Sequence, residues 1–78
     1  MQDIKHKVEA VLFTTGKFLN VEEIANLSSL SNDLVTQALQ QLIQDYNSRD
    51  TSLEIIQQGD KYKLNIKKEH MHITTKLL

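Results

Sequence analysis

Seventy-eight residues, 40% hydrophobic and 24% charged, suit one small globular domain rather than a disordered chain. A formal net charge of −1 supplies no overall attraction for nucleic acid or anionic lipid. With no cysteine, disulfides, thiol catalysis and thiolate metal sites are excluded. A chain this short buries only about 60% of its unfolded surface, so modest stability is expected. No run approaches the ~18 consecutive apolar residues of a membrane span. The opening MQDIKHKVEA also lacks the apolar centre of a signal peptide. The expectation is a cytoplasmic protein without a membrane partner.

Asp3 precedes a first helix over about residues 4–15, with Ile4, Val8, Val11, Leu12 and Thr15 forming its inward stripe. Phe13 falls outside that stripe, on the side shared by His6 and Ala10. Gly16 suits the left-handed position after a last helical turn. Lys17, Phe18 and Leu19 read as a short extended link. Asn20 then opens a second helix with Glu23 three positions on, the pattern of a capping box. Val21, Ile24, Ala25 and Leu27 form the apolar set of this two-turn helix. Ser28-Ser29-Leu30 reads as a tight turn, with Ser29 at the position where such turns often use glycine.

Ser31 caps the longest element, an amphipathic helix through Ser48, with Asp33 favourably placed in its first turn. Leu34, Val35, Ala38, Leu39, Leu42, Ile43 and Tyr46 line one face at three-and-four spacing. The opposite face is Thr36, Gln37, Gln40, Gln41, Gln44 and Asn47, polar but without a cation. After a polar loop over residues 47–52, a strand covers residues 53–57. The turn Gln58-Gly59-Asp60 leads into a second strand over residues 61–67. Tyr62, Leu64 and Ile66 alternate with Lys61, Lys63, Asn65 and Lys67, placing an apolar face on the helices and a basic face outward.

The fold class is therefore α+β and mainly α: a winged helix-turn-helix, three helices followed by a two-stranded β-hairpin wing over residues 1–68. In chain order, Leu12-Phe13, Thr15-Gly16, Leu19, Leu30-Ser31, Tyr46 and the run Gly59 to Leu64 resemble the N-terminal domain of the segregation and condensation protein B family. The resemblance extends from about Val8 to His70. Phe18 stands where proline is usual, Ser29 replaces a turn glycine, and Asp60 interrupts a glycine pair in the wing. Members of this family carry two winged helices in tandem. Residues 69–78 are therefore expected to be a polar tail or linker towards a second domain absent from this chain.

The resemblance implies a non-enzymatic subunit that forms homodimers and binds a kleisin subunit. Through the kleisin it would belong to the SMC ATPase complex of chromosome condensation and segregation, associated with the nucleoid. The competing expectation is a winged-helix transcriptional regulator inserting its third helix into a major groove. That helix has no lysine or arginine to hold phosphates, so no specific DNA binding is expected through it. Any weak nucleic-acid contact falls to Lys61, Lys63, Lys67 and Lys68 on the wing, whose simpler role is to keep an edge strand solvated.

Phe13, with Ala10 beside it, is surplus to the first helix's inward stripe, and Ile56 breaks the alternation of its strand. With Phe18, these are the candidate protein-interface residues. Cover within the domain, by the hairpin for Phe13 and by the loop before the wing for Ile56, is the alternative. No catalytic residue and no cofactor is assigned: Glu22 and Glu23 diverge around a helix, and no glycine-rich phosphate loop is present. His70 and His72, with His6 or Glu69, lack a familiar zinc spacing, so no metal is assigned.

Overall fold

The structure, a computed structural model, describes residues 2–49 and 51–67. Three helices, α1 (Gln2–Thr15), α2 (Val21–Ser28) and α3 (Asn32–Ser48), are joined by short connections. A three-stranded antiparallel sheet is built from β1 (Leu19–Asn20), β2 (Leu53–Gln58) and β3 (Lys61–Ile66) in the order β1-β3-β2. The winged helix-turn-helix is present, with one addition. The link after α1 is not merely extended: Leu19 pairs with Tyr62 and Asn20 with Lys61, so the wing has a third strand. Two residues were too few to show an alternating pattern in sequence.

The helix boundaries follow from local chemistry. Gly16 adopts φ 60° and its N–H donates to the Leu12 carbonyl at 3.1 Å, closing α1 with a left-handed residue. At the start of α2 the Asn20 side chain accepts from the Glu23 N–H at 2.8 Å, while the Glu23 carboxylate accepts from the Asn20 N–H at 2.9 Å. Both halves of the capping box are thus formed. The Ser31 hydroxyl accepts from the Leu34 N–H at 3.2 Å and caps α3. Gln58 faces Lys61 across a two-residue turn whose first residue, Gly59, has the positive φ that mirror-image hairpin turns require.

Ser29 ends α2 at φ 59°, ψ 37°, a left-handed conformation that costs a residue with a Cβ about 1 kcal/mol. Its N–H still donates to the Ala25 carbonyl, so the turn is held despite the strain. Ser29→Gly is expected to stabilise the fold by about 0.5–1 kcal/mol, the relief of strain exceeding the added freedom of the unfolded chain. A thermal melt should move up by about 2–8 °C. An unchanged or lower midpoint would show that Ser29 is not strained.

One core collects Val8 and Leu12 of α1, Leu19 of β1, Ile24 and Ala25 of α2, Leu64 of β3, and five residues of α3. These five are Val35, Ala38, Leu39, Leu42 and Tyr46, so α3 is the element on which the others pack. Ile4, Val11, Val21, Leu30, Leu53, Ile55 and Tyr62 close its margins. Leu27 does not join this core and is 60% exposed. At about 100° per residue, Ser28 and not Leu27 falls between Val21, Ile24 and Ala25 on the inward arc, with Leu27 roughly 110° away. Ser28 fits there because its hydroxyl donates to the Ile24 carbonyl at 2.7 Å. Residues 69–78, the expected tail, lie outside the described residues, as do Lys68 and both His70 and His72.

Candidate protein-interaction surfaces

Because the α1 stripe is satisfied by Val8 and Leu12, each fully buried, the opposite side of the helix is free to face outward. Phe13 lies there and is 71% exposed. Phe13 and Leu27 are the large hydrophobic side chains exposed among the described residues. They border neighbouring grooves. One, about 320 Å³, is lined by His6, Glu9, Ala10, Phe13, Tyr46, Leu53 and Leu64. The other, about 250 Å³, is lined by Ala10, Val11, Thr14, Thr15 and Leu27. Ala10 belongs to both, so a small residue sits between two apolar projections. A third depression joins Phe13 to Leu53, Leu64 and Ile66 on the inner side of the wing. Phe13 therefore borders the hairpin without being covered by it.

The four candidate interface residues do not form one patch. Ala10 and Phe13 share the α1 face, whereas Phe18 and Ile56 lie on the outward face of the sheet. Ile56 pairs directly with Lys63, and the Lys63 ammonium stands 5.5 Å from the centre of the Phe18 ring. Directly opposed residues of antiparallel strands share a face, so Ile56 and Lys63 form a row that Phe18, just before β1, extends. Phe18 and Ile56 are both half-buried. Lys61 and Lys67 follow the same parity as Lys63, so the basic strip expected on the outward side of the wing is present for the described lysines, but on the middle strand of the sheet and not, as expected, on an edge.

At one end of the Phe13 groove, α1 and α3 are joined by charged groups. The Lys5 ammonium donates to the Asp45 carboxylate at 2.7 Å. The Tyr46 hydroxyl donates to the Glu9 carboxylate, and the Arg49 guanidinium lies 5.0 Å over the Tyr46 ring. Burial, together with donation to Glu9, pushes the Tyr46 phenol up to about 12. These contacts were not visible in the sequence, since the partners lie 37 and 40 positions apart. Burial of Tyr46 was expected from its place on the α3 stripe.

The Lys5 hydrogen bond holds the Asp45 carboxyl below its ordinary value, with the charges of Lys5 and Arg49 acting in the same direction. A carboxylate depressed in the folded state contributes stability above its unfolded pKa and loses it as pH falls through the folded value. Stability should therefore decline below about pH 4, and Asp45→Asn should flatten that part of the profile. Urea midpoints at pH 5 and pH 3 for both proteins test this. Parallel declines would remove the Lys5–Asp45 pair from the acid response.

Between Asn32 and Ser48 the charged residues are Asp33 and Asp45, so the face that a winged helix would offer to a major groove carries no cation. No cluster of three metal-ligating side chains occurs among the described residues. Among the same residues no helix is long and apolar enough to cross a membrane.

The family model of the segregation and condensation complex subunit ScpB matches residues 6–78. The chain belongs to the ScpB family. A segregation and condensation protein B from Pediococcus pentosaceus is 37% identical over 75 residues, covering 92% of this chain and 38% of the relative. The protein of the same name from Alkaliphilus oremlandii is 25% identical over 75 residues, covering 96% of this chain and 40% of the relative. The chain thus spans about two fifths of the length of these ScpB relatives. Among solved structures, a dimer of the ScpB N-terminal domain complexed with a ScpA peptide superposes with a TM-score of 0.83 at 28% identity. That match covers 99% of this chain and 96% of the other. A conserved hypothetical protein from Chlorobium tepidum shares the fold at TM-score 0.74 and 18% identity, over 49% of its length.

Proposed function

We propose that this domain is a non-catalytic assembly module of the SMC–kleisin complex of chromosome condensation and segregation. It pairs with a second copy and holds a segment of the kleisin ScpA, through which it reaches the SMC ATPase. The pairing surface is the outward face of α1, centred on Phe13 and Ala10. The observation that carries this reading is the exposed Phe13 ring between apolar grooves, on a helix whose inward stripe is complete without it. The ScpB N-terminal domain of the same fold, solved as a dimer with a ScpA peptide, supports both partners. Such a module works in the cytoplasm, at the nucleoid. By this reading residues 69–78 lead towards a second winged helix.

A two-fold interface uses the same patch twice. Each buried phenylalanine contributes about 1.5–3 kcal/mol, and a two-fold axis through this face counts it for both copies. The small Ala10 lets a partner's side chain approach α1 closely. The alternative, a DNA-reading regulator, finds no support on α3, where the glutamines have no neighbouring cation to hold them against phosphates.

Light scattering across a concentration series tests the pairing, and titration calorimetry with a ScpA peptide tests the second partner. A dimer that takes up peptide is the expected result. A chain that stays monomeric at tens of micromolar and gives no heat with peptide would remove this reading.

A further inference from the structure

We propose that the outward face of the wing binds the phosphate backbone of duplex DNA without sequence preference. The ligands are Lys61, Lys63 and Lys67, and Phe18 positions the central lysine. This face is separate from the α1 surface assigned to protein partners. The proposal stands whether or not that assignment holds.

Three observations carry it. β3 is the middle strand of the sheet, flanked by β2 along its length and by β1 at Lys61 and Tyr62. Lys67 keeps the parity of Lys61 and Lys63, because its N–H donates to the Ser52 carbonyl at 2.8 Å and prolongs the ladder. Alternate residues of a strand lie about 7 Å apart, which sets Lys61 and Lys63 at the scale on which successive phosphates recur; Asn65 takes the next outward position, so Lys67 follows about 14 Å beyond Lys63. Finally, the ion pair among the described residues joins Lys5 to Asp45, so these three lysines form no salt bridge there, although Glu54 shares their face opposite Asn65.

The aromatic residue between these lysines in the sequence, Tyr62, packs inward against the core; the fold supplies another on the outward face. The β1–β3 register, Leu19 with Tyr62 and Asn20 with Lys61, sets Phe18 beside Lys63. The Lys63 ammonium is held 5.5 Å from the ring centre, with Ile56 opposite on β2. A lysine fixed between two apolar side chains surrenders less freedom when it meets a phosphate. The same contact decides the kind of nucleic acid. The Phe18 ring is half-buried and carries the ammonium, so it offers no open platform for an unpaired base. Backbone contact to a duplex is what remains, and the cation-free α3 adds no base reading.

The test uses the full 78-residue chain and a fluorescent random-sequence duplex, followed by anisotropy over a salt series. Affinity should be weak, equal for unrelated sequences, and fall with salt at a logarithmic slope of about −2.7, the value for three phosphates. The triple variant Lys61→Ala/Lys63→Ala/Lys67→Ala should lose about tenfold or more in affinity at low salt while keeping its circular dichroism. Phe18→Leu keeps all three charges and should weaken binding a few-fold, and restoring an aromatic with Phe18→Tyr should recover it. Absence of binding at about 20 mM salt, where phosphate contacts are strongest, would overturn the proposal. So would equal affinity of the triple variant, tighter binding to single strands, or displacement of DNA by poly-glutamate at equal charge, which would assign the face to an acidic protein. A protected footprint at one sequence would overturn the non-specific reading.

Discussion

Leu39→Ala is expected to remove about 2–5 kcal/mol of folding stability, through lost burial and the cavity left behind. Leu39 is 1% exposed and belongs to the same cluster as Val8, Leu12, Ile24, Leu42 and Leu64. That cluster joins α3 to α1, α2 and the wing. Collapse around the missing atoms would require several elements to shift together, which places the loss towards the upper part of that range. A domain of this size has a total stability of only about 5 kcal/mol, so the variant should be largely unfolded in mild denaturant. Urea titration followed by circular dichroism measures this. Gln40→Ala, one position along on the exposed face, serves as the control and should change stability by less than about 0.5 kcal/mol. An unshifted Leu39→Ala midpoint would mean that this face of α3 does not hold the core.

Phe13→Glu is expected to convert a dimer into a folded monomer. The substitution removes an apolar ring from the centre of the α1 face and sets two carboxylates near one another across the two-fold axis. Within the domain it should cost little, because Phe13 is 71% exposed and the α1 stripe of Val8 and Leu12 does not include it. The readouts separate these effects: mass by light scattering, fold by circular dichroism and thermal melting. Loss of the helical signal would make Phe13 a core residue. A persistent dimer would move the contact elsewhere, with the Leu27 groove on the other side of Ala10 the first place to look.

Most of the fold was legible because its determinants are local. Asn20 with Glu23, Ser31, Gly16 and Gly59 each fix a boundary through a contact within a few positions. The α3 stripe likewise announces its buried face by spacing alone. Leu27 is the more hydrophobic residue, yet the angular position of Ser28 and its carbonyl-seeking hydroxyl decide which of the two faces inward. The surfaces were less legible. Phe13 could be singled out as surplus to its stripe, but the grooves beside it are made with Leu53 and Leu64 from the wing. Phe18 and Ile56 could be suspected singly. Only the sheet register sets them on either side of Lys63, away from Phe13.

The two-residue strand β1 also bears on the order in which the molecule assembles. The hairpin of β2 and β3 can form across its own short turn, and α2 and α3 can meet across theirs. Leu19 and Tyr62, by contrast, lie more than forty positions apart. Joining them closes a loop containing both later helices, and the entropy of that closure is recovered only once the enclosed helices already hold the ends near one another. β1 should therefore dock late, after α3 has gathered the core. The last seam to close in folding would then be the first to open in native-state hydrogen exchange. The Phe18 contact to Lys63 would open with it, while the helical core stays shut.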